Sequence, residues 1–340
     1  MAYAAKTSPT ALLPSGTNYP QYSSSGSAGK FIPEIWSGKL QVKFYKSTVL
    51  GEITNNDWEG EIKGQGDKVY IRGIPTITVR DYQKGQSLTN EAPTSTPLEL
   101  NIDKGKYFAV VLDDVDAVQA DVKMMDVFTN DAAQQMKIAI DSDVLNGVFA
   151  DAHASNKGAT AGLISGNLNL GAANAPLVIT KDGASSTTAV LDAILRAGQA
   201  LDEQNVPEEG RWMVIPAWMN ALIKNSDLKQ AYLTGDDTSP LRNGKIGMID
   251  RFTVYVSNNL TSVLDLGSGN AVGGTGAAAD RNSWHVLAGT RDAISFASQM
   301  TNVETIRSEL TFGNIVRGLN VYGYKVTKPE ALVDLYVAQG

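Results

Sequence analysis

Hydrophobic and polar positions alternate in four stretches near the first third of the chain: Asp67–Arg72, Ile74–Val79, Leu98–Ile102 and Tyr107–Leu112. Alternation of this kind is the signature of half-buried strands. Val69, Ile71, Ile74 and Ile77 are β-branched, as strands prefer. Gly73 and Pro75 predict a bend, a bulge or an edge within the first arm. Between the arms, Arg80–Pro97 is polar and turn-rich, so the whole reads as a long two-armed hairpin with a polar tip. From Asp114 to about Phe149 the period changes. Val118, Val122, Met125, Ala132, Met136, Ile140, Val144 and Val148 recur at three- and four-residue steps. That predicts one helix on the order of 50 Å long, at roughly 1.5 Å per residue. Asp113, Asp114 and Asp116 sit where acidic side chains favour the positive end of the helix dipole.

The remaining pattern describes a mixed α/β unit. Ile32–Leu50 reads as a helix, with Pro33 in its first turn and Ile35, Trp36, Leu40, Phe44 and Val49 near one face. A second helix is predicted over Ser186–Gln204, a buried strand over Arg211–Ile215, and a third helix from Pro216 to about Lys224. Another helix is drawn over Asp227–Leu233, then a strand over Ile249–Val256. Further strands are predicted at Trp284–Leu287, Ala293–Ala297 and Leu319–Val326, and Ala331–Val337 closes the chain. Met1–Lys30 is rich in Ser, Gly, Ala, Thr, Tyr and Pro and reads as an extended arm. Leu266–Asp280 reads as a Gly/Ala-rich surface loop.

An isolated two-stranded hairpin is marginal in water. A long one that ends in a polar tip is therefore a surface built to be completed by neighbours, which points to a lattice-forming protein. The tip carries Arg80, Asp81, Lys84 and Glu91, opposite charges suited to pairing across a subunit contact. A solvated loop accounts for them about equally well.

Composition narrows the classes. The chain has 340 residues, 43% hydrophobic and 19% charged, so it is globular and large enough for one big domain or two modest ones. No apolar run reaches the roughly 20 residues of a bilayer span, and the N-terminus lacks the pattern of a secretory signal. Cysteine is absent, which removes disulfides, thiolate metal sites and cysteine nucleophiles. A formal net charge of -7 does not suit an autonomous nucleic-acid binder.

Catalytic patterns are missing. His153 falls in a small-residue loop and His285 in a strand, neither with a metal-ligand partner at a recognisable spacing; an exposed His153 and a semi-buried His285 are expected. Asp113–Asp114 and Asp236–Asp237 fit cap and turn roles better than cation binding. Gly273-Gly274-Thr-Gly276 lacks the ending of a phosphate loop. An isopeptide bond between Lys84 and a distant Asn such as Asn314 has the right residue types, but an ordinary surface lysine is the preferred reading. No catalytic, cofactor or metal residue is assigned, and no enzyme activity is expected.

The ordered set of elements, from Phe31 to Val337, resembles a tailed-bacteriophage major capsid protein of the Hong Kong 97 fold type. Asn101–Asp116, a strand feeding a long helix, looks much like segments of these proteins. The resemblance implies an α+β fold with an N-terminal arm, an extended β-hairpin loop, a peripheral domain with a long spine helix and an axial α/β domain. It implies arm and first helix over 1–50, extended loop over 51–112, peripheral domain over 113–185 and 281–340, and axial domain over 186–280. It further implies self-assembly as hexamers and pentamers into an icosahedral shell around double-stranded DNA, built in the bacterial cytoplasm. A separate scaffolding protein, a portal and a cement protein are the expected partners, with only non-specific proximity to DNA and no membrane. The alternatives are an encapsulin-type compartment shell and, further off, a tail-tube protein.

Overall fold

Leu332–Gln339 is buried at every position but the last, and Arg211–Ile215 is buried throughout. Strands with no exposed side belong in the middle of a sheet covered on both faces, and both lie there. The computed structural model describes residues 43–58, 68–75, 77–95, 97–113, 124–183, 187–226, 247–265, 281–308 and 312–340. Residues 44–340 belong to one unit.

In chain order the first elements are α1 (Leu50–Ile53), β1 (Lys68–Arg72), β2 (Pro97–Asn101), β3 (Lys104–Asp113) and α2 (Met124–Leu145). Next come β4 (Leu177–Thr180), β5 (Thr188–Ala189), α3 (Val190–Glu203), β6 (Arg211–Ile215), α4 (Ala217–Asn225), β7 (Met248–Ile249) and β8 (Phe252–Val256). The last are β9 (Val263–Asp265), β10 (Arg281–Thr290), β11 (Ile294–Arg307), β12 (Gly313–Val326) and β13 (Leu332–Gln339).

The central sheet has the order β5-β4-β13-β10-β6-β8-β7, with β9 also on β10. Its two faces bury alternate residues of the same strands. Met213, Ile215, Val286, Ala288, Val333 and Leu335 pack with Ile194, Ala197 and Leu201 of α3 and Met219 and Ile223 of α4. Trp212, Val214, Leu287 and Leu332 pack on the other side with Ile140, Val144 and Leu145 of α2 and with Val49 and Ile53. A separate three-stranded sheet has the order β11-β12-β3, and β1 and β2 form a two-stranded ladder.

Several sequence expectations change. Tyr107–Leu112 does not continue the hairpin: it lies in β3, which pairs with β12 in the register Tyr107↔Leu319. Where the chain leaves β2, the Asn101 carbonyl lies close against Gly323 of β12, an approach that a Cβ would block. Ile74–Val79 is outside the ladder, which stops at Arg72↔Pro97; Pro97 has no N–H with which to extend it. The strands around Trp284–Leu287 and Ala331–Val337 stand beside β6 and β4 in the central sheet. Only β11 and β12 join β3.

The first helix also differs over its described part, while Ile32–Val42 lies outside the described residues. Lys43–Val49 is non-helical, helix begins at Leu50, and Phe44 is 95% exposed instead of sharing a buried face. The Asp141 carboxylate accepts the N–H groups of Val49 (3.0 Å) and Leu50 (2.8 Å), so helix starts where α2 supplies the cap. Asp113 is the last residue of β3, not a helix cap, and α2 ends at Leu145, before Asn146 and Gly147. The Asn146 amide folds back onto the Ser142 carbonyl (2.5 Å), and a Cβ on Gly147 would overlap the Tyr324 hydroxyl. Helix is replaced by a 3-10 turn at Val148–Asp151. Met1–Lys30, Asp114–Lys123, Asp227–Leu233, Asp236–Asp237 and Leu266–Asp280 lie outside the described residues.

Candidate assembly surface

The hairpin is fixed at its root. Leu100 and Ile102 are buried with Ala297 of β11, and Trp58, Val69, Ile71 and Val321 pack around them. Beyond the ladder the two sides of the loop are tied at two points. The Ser95 hydroxyl donates to the Gly73 carbonyl (2.6 Å). The Thr78 N–H and hydroxyl both donate to the Glu91 carboxylate (3.3 Å each). The far end turns at Lys84–Gly85, where Gly85 adopts φ +88° and the Gln86 N–H donates to the Gln83 carbonyl (3.0 Å).

Of the sequence-predicted contact residues, Arg80, Asp81, Lys84 and Glu91 are all exposed. Among the described residues no ion pair joins any two of them. Glu91 works within the loop, through Thr78. The sequence reading placed Ile74, Ile77 and Val79 on a half-buried strand and passed over Tyr82 and Leu88, whereas Ile74 is 99% exposed and Val79 95%, with Ile77, Tyr82 and Leu88 also in solvent. Tyr82 and Leu88, two large apolar residues in an otherwise polar run, are the signal that was there to be read. Large apolar side chains gathered on a projecting loop mark an interaction site.

A second apolar surface lies on the three-stranded sheet. The register puts Tyr107, Val111, Leu319, Arg317 and Glu304 on one face. Tyr107 is 80% exposed, Val111 and Leu319 are also exposed, and the Arg317 guanidinium pairs with the Glu304 carboxylate beside them. On the opposite face Phe108 lies against Gly318, where a Cβ would overlap its ring. A cleft of about 420 Å³ there is lined by Asp126, Thr129 and Asn130 of α2 and Val303, Thr305 and Val316 of the sheet.

A third surface is the Gly162–Gly166 loop, which presents Leu163 and Ile164 to solvent. The Glu203 carboxylate at the end of α3 accepts the N–H groups of Ile164 (2.8 Å) and Ser165 (3.1 Å), and the Gln199 amide (2.9 Å). Partial burial pushes the Glu203 carboxyl up, but these donors outweigh it and hold it at about 2.

The titratable groups of the core serve packing. His285 Nδ1 lies 2.9 Å from the Asp334 carboxylate, and its ring stacks on Phe149 with centroids 3.7 Å apart. Burial pushes the Asp334 carboxyl up, with His285 opposing. His153 is half-buried, not exposed as expected, because its Nδ1 accepts the Ser155 N–H and the Gln204 amide (3.2 Å each). Both histidines thus have partners far along the chain that sequence spacing did not show. Among the described residues no group of three or more His, Asp or Glu side chains is placed to hold a metal ion, and no helix is long and apolar enough to cross a membrane.

Comparison with known proteins gives these surfaces a context. No curated protein sequence matches the chain. Among solved structures, one from Mycobacterium phage Che8 superposes with a TM-score of 0.68 at 27% identity, covering 91% of this chain and 98% of that one. The capsid of the cyanophage P-SCSP1u gives a TM-score of 0.65 at 16% identity, covering 93% and 96%. The mature capsid of bacteriophage PhiM1 gives 0.63 at 13% identity, covering 95% and 97%; the last two are likenesses of fold alone. A family described as phage capsid protein matches residues 96–335. That match spans well over half of the sequence, so the chain belongs to the phage capsid protein family and is a phage major capsid protein of the Hong Kong 97 fold type.

Proposed function

We propose that copies of this chain assemble as hexamers and pentamers into an icosahedral shell around the double-stranded DNA of a tailed phage, in the host cytoplasm. The carrying observation is the loop beyond the β1–β2 ladder, anchored at a buried root yet exposing Ile74, Ile77, Val79, Tyr82 and Leu88. A second copy covers such a loop, and each chain both gives and receives one. Many weak contacts of this kind add up through multivalency. Arg80, Asp81 and Lys84 set the orientation of the contact, while Glu91 holds the loop in shape for it. A division into arm, extended loop, peripheral and axial domains goes with this reading, with the loop ending before Lys104, since β3 pairs with β12, and with β10 and β13 sharing one sheet with β6 and β8. So do a separate scaffolding protein, a portal and a cement protein, each meeting the shell instead of a single chain.

Negative-stain electron microscopy of the purified chain, with and without a co-expressed scaffolding protein, tests the reading. Closed shells or five- and six-membered rings are the expected result. Replacing Arg80 and Lys84 by Glu is expected to leave circular dichroism unchanged and to weaken the association constant between copies about tenfold, which corresponds to about 1.4 kcal/mol, and so to lower shell yield. Dispersed monomer under both conditions overturns the assembly reading; an unchanged shell yield in the double variant removes the tip charges from it.

A further inference from the structure

The central sheet carries a hairpin at one edge, β7 and β8, whose two-residue turn is Asp250–Arg251. Both turn residues have positive φ, 45° and 69°. A two-residue turn needs that backbone to follow the twist of its strands, and glycine adopts it with least strain. Asn and Asp tolerate it as well. Among the described residues four that are not glycine have positive φ, and Arg251 is the one that is neither Asn nor Asp. What keeps an arginine there lies in its side chain.

The Arg251 guanidinium lies between two carboxylates, 3.0 Å from Asp202 Oδ2 on α3 and 2.7 Å from Glu208 Oε1 on the turn before β6. Asp202 is itself held. Its other oxygen pairs with the buried Arg211 guanidinium (2.7 Å), which also donates to the Val206 and Pro207 carbonyls. The Asp250 half of the turn is seated by shape, since its carboxylate fills the place that a Cβ on Gly198 would take. One turn residue is thus fitted into the body and the other is tied to it by charge. Asp202 and Glu208 are exposed and Arg251 is partly so. Pairs in solvent weaken as salt rises, whereas the buried Arg211 contact is screened much less.

We propose that Arg251 is a salt-sensitive latch on the edge of the central sheet. At low ionic strength Asp202 and Glu208 hold the strained turn down. Rising ionic strength screens both pairs and leaves the backbone strain unopposed. β7 then parts from β8, while β8 stays on β6, with which it pairs over all of Phe252–Val256. The β7–β8 ladder is short: Met248↔Thr253 and Ile249↔Phe252, with the Val254 N–H donating to the Gly247 carbonyl (3.2 Å) beyond them. Its use rests on the assembly reading: the ionic conditions that ease repulsion between negatively charged copies are those that loosen this edge.

Hydrogen exchange at the Val254 amide reads the latch directly. Measured on the full-length chain below the concentration at which copies associate, it makes no reference to shells, so failure of the assembly reading is a separate result. Raising salt from about 0.1 M to about 1 M is expected to speed Val254 exchange about threefold relative to the amides of buried Arg211–Ile215. Arg251→Ala keeps a Cβ in the strained turn but removes both pairs. Val254 is then expected to exchange about threefold or more faster at low salt, with no further response to salt. Arg251→Gly removes the pairs and the strain together, so at high salt it is expected to exchange more slowly than the wild type. Wild-type exchange at Val254 that ignores salt, or a salt response that survives in Arg251→Ala, overturns the latch. Arg251→Gly exchanging as fast as Arg251→Ala removes the strain that drives its release.

Discussion

Glu203 shows what one side chain does for a surface. Three donors converge on its carboxylate, and two of them are backbone N–H groups of the loop that carries Leu163 and Ile164. A carboxyl held at about 2 in the folded chain, below its ordinary 4.5, contributes stability that is complete above the ordinary value. The contribution fades as pH falls from there through about 2. Glu203→Gln keeps the size but weakens the acceptor, so the Gly162–Gly166 loop is expected to open more often, and cleavage within it by a low-specificity protease to rise several-fold at neutral pH. The melting temperature of the variant is expected to fall less steeply than the wild type's between pH 4.5 and pH 2. Parallel melting curves across that window would rule out the latch. Glycines act at the same scale by what they lack: Gly323 admits the Asn101 carbonyl and Gly318 the Phe108 ring. Neither was legible in the sequence, because each contact joins segments some 200 residues apart, and a glycine in a strand gives no hint of what will press on it.

The elements were legible to the degree that their own side chains determine them. Arg211–Ile215 is read correctly because its apolar run and flanking turns are local, and α3 and α4 are read within a few residues for the same reason. Pairing was not legible: β3 alternates as a hairpin arm would, and only the presence of β12 decides that it leaves the hairpin. Lys43–Val49 was misread as helix because Asp141, 91 residues from Leu50, takes the N–H groups of Val49 and Leu50. The four charged candidates at the loop were found by charge, while the apolar residues among them were passed over because a turn-rich run hides them. The long helix combines both situations. Its second half buries Ile140, Val144 and Leu145 against the central sheet, whereas Val127 and Phe128 in the first half remain partly in solvent. Leu145→Ala is expected to cost about 2–5 kcal/mol in chemical denaturation, the range for emptying a packed site. Phe128→Ala is expected to cost under about 1 kcal/mol. Equal costs would mean that both halves are packed alike.

At the scale of the whole molecule, charge and apolar surface pull assembly in opposite directions with salt. Each copy carries a formal net charge of -7, so bringing copies together is opposed by long-range repulsion. The loop offers opposite charges for pairing, but an exposed pair contributes only about 0.2–1 kcal/mol. Burying one large aliphatic or aromatic side chain contributes about 1.5–3 kcal/mol, and the loop exposes five: Ile74, Ile77, Val79, Tyr82 and Leu88. The apolar term therefore dominates, and salt mainly screens the repulsion between like-charged copies. Raising ionic strength from about 0.1 M to about 1 M shortens the screening length from ~10 Å to ~3 Å. The threshold concentration for shell formation, followed by light scattering, is expected to fall across that range. Replacing Ile77 and Val79 by Ser is expected to raise the threshold at every salt concentration while leaving its downward slope. A threshold that rises with salt would mean that the charged pairs at Arg80, Asp81 and Lys84 hold the copies together, and that the apolar residues beside them only fill space.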